Sequence, residues 1–333
     1  MEQQISLAHG SGGQLTRELV EHVFVPKLKN DILSRLTDAA ELAVPGSRLM
    51  FTTDSFVIKP LEFPGGDIGK LSVCGTINDL AVSGARPMWI SCGLIIEEGF
   101  SFERLGRIVD SIARTTADAG VAVVCGDTKV VEHGSADGLF INTAGIGVPI
   151  GDYRSAPIQP GDKILVSGTI GDHEAAIFRV RENLGRRMEL ASDCAALHGL
   201  VETMLAAAPG IRVMRDPTRG GIGAVLNELA TGTACSFTIE DDLIPMCDEV
   251  RGICELVGFD PMYLANEGKL VCFAAADQAE CLLHAMRSHP LGKNAAIIGE
   301  VAADPREHVY LQSRFGGSRI VIMPTGVQLP RIC

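Results

Sequence analysis

Positive charge is in deficit. Lysine and arginine number 29 against 41 aspartates and glutamates, for a net charge of −12. That balance argues against a general nucleic-acid or membrane-surface role. An acidic chain can still take a polyphosphate when metal ions screen its carboxylates. No uninterrupted apolar run reaches the roughly 20 residues that span a bilayer, so no membrane segment is expected. The opening Met1-Glu2-Gln3-Gln4 brings neither a basic region nor an apolar signal segment, and export is not expected. Ten cysteines are present without a single CxxC pair, which excludes zinc-ribbon and thioredoxin spacing. Cys125 and Cys272 sit in apolar runs and read as buried thiols of a reducing cytoplasm. A Walker A loop, a GxGxxG fingerprint, short tandem repeats and low-complexity segments are likewise missing.

What is present has the length of two domains. Strand-like runs cover 49–53, 90–96, 121–125 and 139–148, separated by helical patterns at 67–83 and 102–119. Three prolines and two glycines crowd 149–161, a break in the pattern. A second cycle follows: strand 163–167, helices 172–183 and 222–230, strands 236–239 and 269–274, helix 278–288 and strand 295–301. The expected class is α+β in two domains. A glycine-rich segment and helix occupy 1–40, an N-terminal domain 41–150, a C-terminal domain 151–312, and a flexible tail 313–333. From Gly317 the tail could deliver the thiol of Cys333 on the order of 50 Å away, at about 3.3 Å per residue.

Carboxylates recur at the ends of these elements. Asp54 lies at a strand's end, Asp67 is placed to cap a helix, and Asn78-Asp79 fall inside the same helix. Each aspartate alone reads most simply as a cap or surface charge. A carboxylate inside an apolar stretch is different, because burial demands a partner. Asp67 and Asp79 are about three turns apart, so they share a site only if metal ions and a polyphosphate span the gap. Gly126-Asp127-Thr128-Lys129 leaves an apolar strand; Asp127 could hold a metal, and Lys129 could meet phosphate or act as a base. Asp216-Pro217-Thr218-Arg219-Gly220-Gly221 runs into a helix whose first amides suit an anion. His9-Gly10-Ser11-Gly12-Gly13 is either a phosphate lid or a loose terminus. Asn266-Glu267-Gly268-Lys269 sets a carboxylate ahead of a strand, as a turn or as a proton acceptor.

In their order, these motifs resemble the ATP-binding superfamily of aminoimidazole ribonucleotide synthetase, selenophosphate synthetase and thiamine-monophosphate kinase. With His9-Gly10-Ser11-Gly12-Gly13 at the start and Pro330-Arg331-Ile332-Cys333 at the end, the chain resembles the HypE family of hydrogenase maturation proteins within it. The resemblance covers nearly the whole chain. It departs at Gly171-Asp172-His173-Glu174, where a second glycine is expected in place of Glu174, and the start of that helix is in question.

The resemblance implies an aminoimidazole ribonucleotide synthetase-like fold in which N-terminal sheets pair in a homodimer. ATP would lie near the domain cleft and the partner subunit. Asp54, Asp67, Asp79 and Asp216 would hold magnesium and triphosphate, with Gly12, Gly13, Lys70, Asn78, Asp127, Thr128, Arg219, Gly220 and Gly221 as further nucleotide contacts. The implied reaction is ATP-dependent dehydration of a carbamoyl group on Cys333 to a thiocyanate, with Lys129 and Glu267 as candidate bases. HypF would donate the carbamoyl group, and the HypC-HypD complex would receive the cyanide. Three rival readings stay open: a relative activating another oxygen or selenium nucleophile, a thiamine-monophosphate-type kinase, and a non-catalytic nucleotide-binding thiol carrier.

Overall fold

The computed structural model describes residues 4–10, 14–35, 42, 46, 48–184, 189–324, 329 and 331–333. Gly12 and Gly13 lie outside them. A short helical lead comprises α1 (Gln14–Leu19), a π-helical turn (Val20–Phe24) and α2 (Val25–Leu28). The N-terminal unit then runs β1 (Met50–Phe56), β2 (Glu62–Phe63), β3 (Gly66–Asp67), α3 (Ile68–Val82), β4 (Ala85–Glu97), α4 (Phe102–Asp118), β5 (Ala122–Val131) and β6 (Leu139–Pro149). Four of these strands form a sheet in the order β1-β6-β4-β5, with only the β4–β5 pair parallel.

Alternation decides which side of that sheet is covered. Ile90, Cys92, Leu94 and Ile96 of β4 are buried in the core that α4 completes with Leu105, Ile108, Val109 and Ile112. No helix among the described residues lies on the opposite face, and Phe51 and Ile95 remain 68% and 43% exposed there. α3 is not the one-sided stripe that its sequence suggests. Leu71, Val73, Cys74, Ile77, Leu80 and Ala81 are all buried, because the sheet, α4 and the second domain surround the helix.

The C-terminal unit contains β7 (Lys163–Val166), α5 (Asp172–Arg181), α6 (His198–Ala207), β8 (Ile211–Arg215), α7 (Gly221–Ala230), β9 (Cys235–Glu240), α8 (Asp248–Val257), β10 (Val271–Ala274), α9 (Ala279–Ser288), β11 (Ala296–Ala303), β12 (Val309–Gln312) and β13 (Ser318–Val321). Its seven strands follow the order β13-β12-β9-β11-β7-β10-β8. Both faces are covered. Ile164 and Val166 join Ile222, Val225 and Leu226 of α7, while Leu165 between them joins Leu200, Met204 and Leu282 of α6 and α9.

The long, periodic elements appear where the sequence places them. α6, β8, α8 and the β12–β13 hairpin do not announce themselves. α6 and α8 start without a side-chain cap, and the strands are only four or five residues long. Without a cap or a run of alternation, short segments carry little local signal.

The expected flexible tail over 313–333 is corrected at both ends. Ser318–Val321 is a strand of the sheet. At the other end, Cys333 O accepts from Val57 N–H at 3.2 Å and Arg331 O from Lys59 N–H at 3.1 Å, so 331–333 lies antiparallel to 57–59. Ile332, 6% exposed, drops into the N-terminal core. Burying an isoleucine contributes roughly 1.5–3 kcal/mol toward holding the segment in place.

Candidate active site

Three aspartates converge because of how β1 and α3 meet. Thr52 and Asp54 share a face of β1, and Gly75 and Asp79 share a face of α3. Gly75 lets the helix come close: a Cβ there would stand 2.8 Å from the Phe56 ring and 3.7 Å from Asp54 Oδ2. One turn on, Thr52 Oγ1 donates to Asp79 Oδ2 at 2.7 Å. Asp216, just beyond β8, closes the group from the second domain. Burial, then the Asp79 charge, pushes the Asp216 carboxyl up to about 7, with Asp54 adding to the effect. Asp54 and Asp79 are also raised, chiefly by burial. Arg215 opposes the rise at Asp79 and Asp216, and Arg219 opposes it at Asp54. Asp79, Arg215, Asp216 and Thr218 line a cleft of about 340 Å³. Among the described residues no three acidic, histidine or cysteine side chains form a ready metal cage.

Other expected contacts take separate positions. Asp67 caps α3, accepting from Lys70 N–H at 2.9 Å. It stands roughly 18 Å along the helix from Asp79, at about 1.5 Å per residue. Lys70 Nζ donates to Gly65 O at 2.8 Å. Asn78 serves the structure instead. Its amide donates to Ala195 O at 3.0 Å and Glu267 O at 3.2 Å, and its Oδ1 accepts from Leu197 N–H at 2.8 Å. Both amide hydrogens thus join the two domains, and its reading as a nucleotide contact stays a proposal. Gly220 and Gly221 open α7 with φ of 78° and 59°, and a Cβ on Gly221 would lie 2.6 Å from two carbonyl oxygens.

Asp127, Thr128 and Lys129 sit on β5, at the far edge of the sheet from Asp54. The row Asp54, Thr143, Cys92, Gly126 crosses all four strands. Three strand spacings make that about 14 Å. Within one chain Asp127 and Lys129 are exposed and do not join the aspartate group. Asp127 and Thr128 border an apolar cavity of about 670 Å³ floored by Phe24, Leu94, Ile112 and Val123.

Glu267 and Cys333 lie within electrostatic reach of one another. Glu267 is 2% exposed, and its Oε1 meets no hydrogen-bond partner. Burial, reinforced by Asp193, Asp216 and Asp54, holds its carboxyl well above the usual range. The Cys333 thiol is raised by burial and then by the Glu267 charge, while Arg219 opposes. The docked segment is held by His173, whose Nε2 lies 2.6 Å from Ile332 O and whose Nδ1 lies 2.7 Å from Ser192 Oγ. Arg181 donates to the carbonyls of Lys59 and Arg331, and the Arg331 guanidinium pairs with Asp137.

Sequence reasoning gave no role to Thr52, Arg215, His173, Arg181 or Asp193, although Arg215 and His173 fall inside motifs it singled out. The only other signal was polarity in apolar surroundings, as in Ser192-Asp193-Cys194. Glu174, the departure from the family motif, leaves the helix start intact at Asp172. Its carboxylate turns inward and accepts from Ala265 N–H at 2.7 Å. All ten cysteines are free thiols. No helix among the described residues is long and apolar enough to cross a membrane.

Comparison with known proteins identifies the family. Residues 36–149 match the model for the N-terminal domain of AIR synthase related proteins, and residues 159–312 match that for the C-terminal domain. The carbamoyl dehydratase HypE of Azotobacter vinelandii is 52% identical over 331 residues, 99% of this chain and 97% of the relative. A hydrogenase maturation protein HypE solved in complex with ATP superposes with a TM-score of 0.94 at 42% identity, covering 98% of this chain and 99% of that one. A HypE-HypF complex matches with a TM-score of 0.81 at 45% identity, over 92% and 99% of the two chains. Two domains of the AIR synthase related type, matched end to end by maturation proteins of one kind, make this chain a member of the HypE family of carbamoyl dehydratases.

Proposed function

We propose that this carbamoyl dehydratase converts a carbamoyl group on the Cys333 sulfur into a thiocyanate, with ATP as phosphoryl donor, and so supplies the cyanide ligand for the iron of a nickel–iron hydrogenase. The observation that carries this reading is the docking of the Cys333 segment with its thiol within electrostatic reach of Glu267, a buried carboxyl with one unpartnered oxygen. A thiocarbamate oxygen is a poor leaving group, and phosphorylation makes it a good one. The carbonyl oxygen attacks the γ-phosphorus, ADP departs, and one nitrogen proton is lost. Phosphate then leaves with the carbon–oxygen bonding electrons while a base takes the second nitrogen proton, leaving S–C≡N. In this reading Glu267 accepts a nitrogen proton, and Lys129 is the other candidate base. Burial and the neighbouring carboxylates Asp193, Asp216 and Asp54 strengthen Glu267 as an acceptor.

The acidic group fits a hard cation. Asp54, Asp79 and Asp216 carry negative charge that burial penalises and that Arg215 and Arg219 offset only in part. These three would hold magnesium, which when bound neutralises triphosphate charge during phosphoryl transfer. Asp67 remains a proposal for the far end of the nucleotide. A homodimer built on the uncovered sheet face would bury Phe51 and Ile95. It would also give Asp127, Thr128 and Lys129 a route to the site, from the partner copy. The apolar cavity beside Asp127 suits a purine base. HypF as carbamoyl donor and the HypC-HypD complex as cyanide acceptor complete the proposal.

The test is the mass of the C-terminal peptide after incubation with HypF, a carbamoyl donor and magnesium ATP. The native chain should carry thiocyanate on Cys333, Cys333→Ala nothing, and Glu267→Gln a stalled carbamoyl group. Thiocyanate forming at the native rate in Glu267→Gln would return that residue to a structural turn. ATP hydrolysis independent of Cys333 carbamoylation would favour a kinase or a different synthetase instead.

A further inference from the structure

We infer that Asp193 is a positioning residue for Glu267: its buried carboxylate, braced by Lys269, clamps the backbone from which the proton acceptor projects. The inference rests on the reading of Glu267 as the base. Asp193 lies in the loop ahead of α6, and its side chain is 2% exposed. Three successive residues donate to it. Oδ1 accepts from Glu267 N–H at 3.1 Å, and Oδ2 accepts from Gly268 N–H at 3.3 Å and from Lys269 Nζ at 3.1 Å. On the other side, Glu267 O accepts from Asn78 Nδ2 at 3.2 Å and Ala195 N–H at 3.3 Å. Both peptide groups of Glu267 are therefore pinned, although its Oε1 is unpaired.

Two further features make the clamp specific. A Cβ on Gly268 would sit 1.9 Å from Asp193 O, so only glycine lets the two segments touch. Lys269, 11% exposed, lies between Asp193 and Asp172, the latter at 3.7 Å. Asp172 is itself fixed by Thr169 Oγ1 at 2.5 Å and Cys247 Sγ at 3.4 Å. A buried carboxylate is costly unless paired and hydrogen-bonded, and here each donor belongs to, or follows, the residue that needs placing. A base must meet its proton within hydrogen-bond reach, so rigid backbone support bears directly on rate.

The experiment uses the full chain carrying carbamoylated Cys333, mixed with saturating magnesium ATP, with single-turnover thiocyanate formation read by mass spectrometry. ATP half-saturation is measured alongside. Asp193→Asn and Lys269→Met should slow thiocyanate formation on the order of 10- to 100-fold, as expected when a reacting group is misplaced by a fraction of an ångström to one ångström. ATP half-saturation should stay unchanged, and Lys269→Arg should recover most of the rate. If Asp193→Asn does not fold, the two Lys269 variants carry the same comparison. A native rate in Asp193→Asn overturns the inference. So does a rise in ATP half-saturation in step with the loss of rate, which marks a general loosening of the domain interface. Glu267→Gln separates the two levels: full turnover there removes the base assignment itself, while an inactive Glu267→Gln beside a fully active Asp193→Asn removes only the positioning role.

Discussion

Replacing Asn78 with alanine should destabilise the protein rather than simply weaken nucleotide binding. The side chain is buried, and three hydrogen bonds end on it. Removing it strands the Leu197 N–H inside the domain interface, and an orphaned buried donor costs roughly 1–3 kcal/mol. The Ala195 carbonyl loses its amide donor, whereas the Glu267 carbonyl keeps the Ala195 N–H. The total is about 2–4 kcal/mol. At about 2.1 cal/mol/K per residue a chain of this length unfolds with an entropy of about 0.7 kcal/mol/K, so each kcal/mol moves the melting temperature by about 1.4 °C and a fall of roughly 3–6 °C is expected. Scanning calorimetry measures it, and titration calorimetry with magnesium ATP runs in parallel. Thiocyanate formation should also drop, since Glu267 loses one of its backbone anchors. An unchanged melting temperature with ATP affinity greatly reduced would refute the reasoning and make Asn78 a nucleotide ligand.

Further tests address other parts of the site. Burial holds the Glu174 carboxyl up to about 7 from 4.5, so the folded state binds its proton more tightly than the unfolded chain does. Its contribution to stability is therefore full below pH 4.5, declines as pH rises to 7, and spans on the order of 3 kcal/mol; Glu174→Gln should flatten urea midpoints across that window, and an unaltered slope would contradict it. Resting Cys333, with its thiol raised by burial, should alkylate more slowly than exposed Cys281. Arg331→Ala, which removes the pairing with Asp137, should speed the reaction in peptide mapping; equal rates at all three would mean the segment is not docked in solution. Asp79→Asn and Asp216→Asn should each weaken magnesium-dependent ATP binding in calorimetry while leaving Cys333 open to carbamoylation, and native affinity in both would remove the cation role.

The two-domain architecture and most long elements were legible in the sequence because they depend on local periodicity. α4 repeats apolar residues at helical spacing, and β6 alternates across its length. The break at 149–161 separates two units that each bury a core. Short segments escaped, since β8, β12 and β13 have too few residues to establish a period.

The active-site motifs were legible as types, not as a place. Acidic residues at element ends, Gly220-Gly221 before a helix and Glu267 before a strand could be named from order alone. Sequence could not say that Asp54 and Asp79 meet while Asp67 stays at the far end of α3. That follows from the close approach of Gly75 to β1, a contact between segments about twenty residues apart. Nor could it reveal that Asn78 spends its amide on the second domain, or that Asp193 clamps Glu267 across 74 positions of chain. The terminal segment makes the same point. Its glycines and polar residues read as a loose tail, yet Ile332 finds an apolar recess, Val57 and Lys59 offer backbone partners, and Cys333 comes within electrostatic reach of a buried carboxyl. Periodicity is a property of neighbours along the chain and can be read from it. Burial, pairing and the raised proton affinity at Glu267 are properties of neighbours in space, which exist only once the two domains have closed on one another.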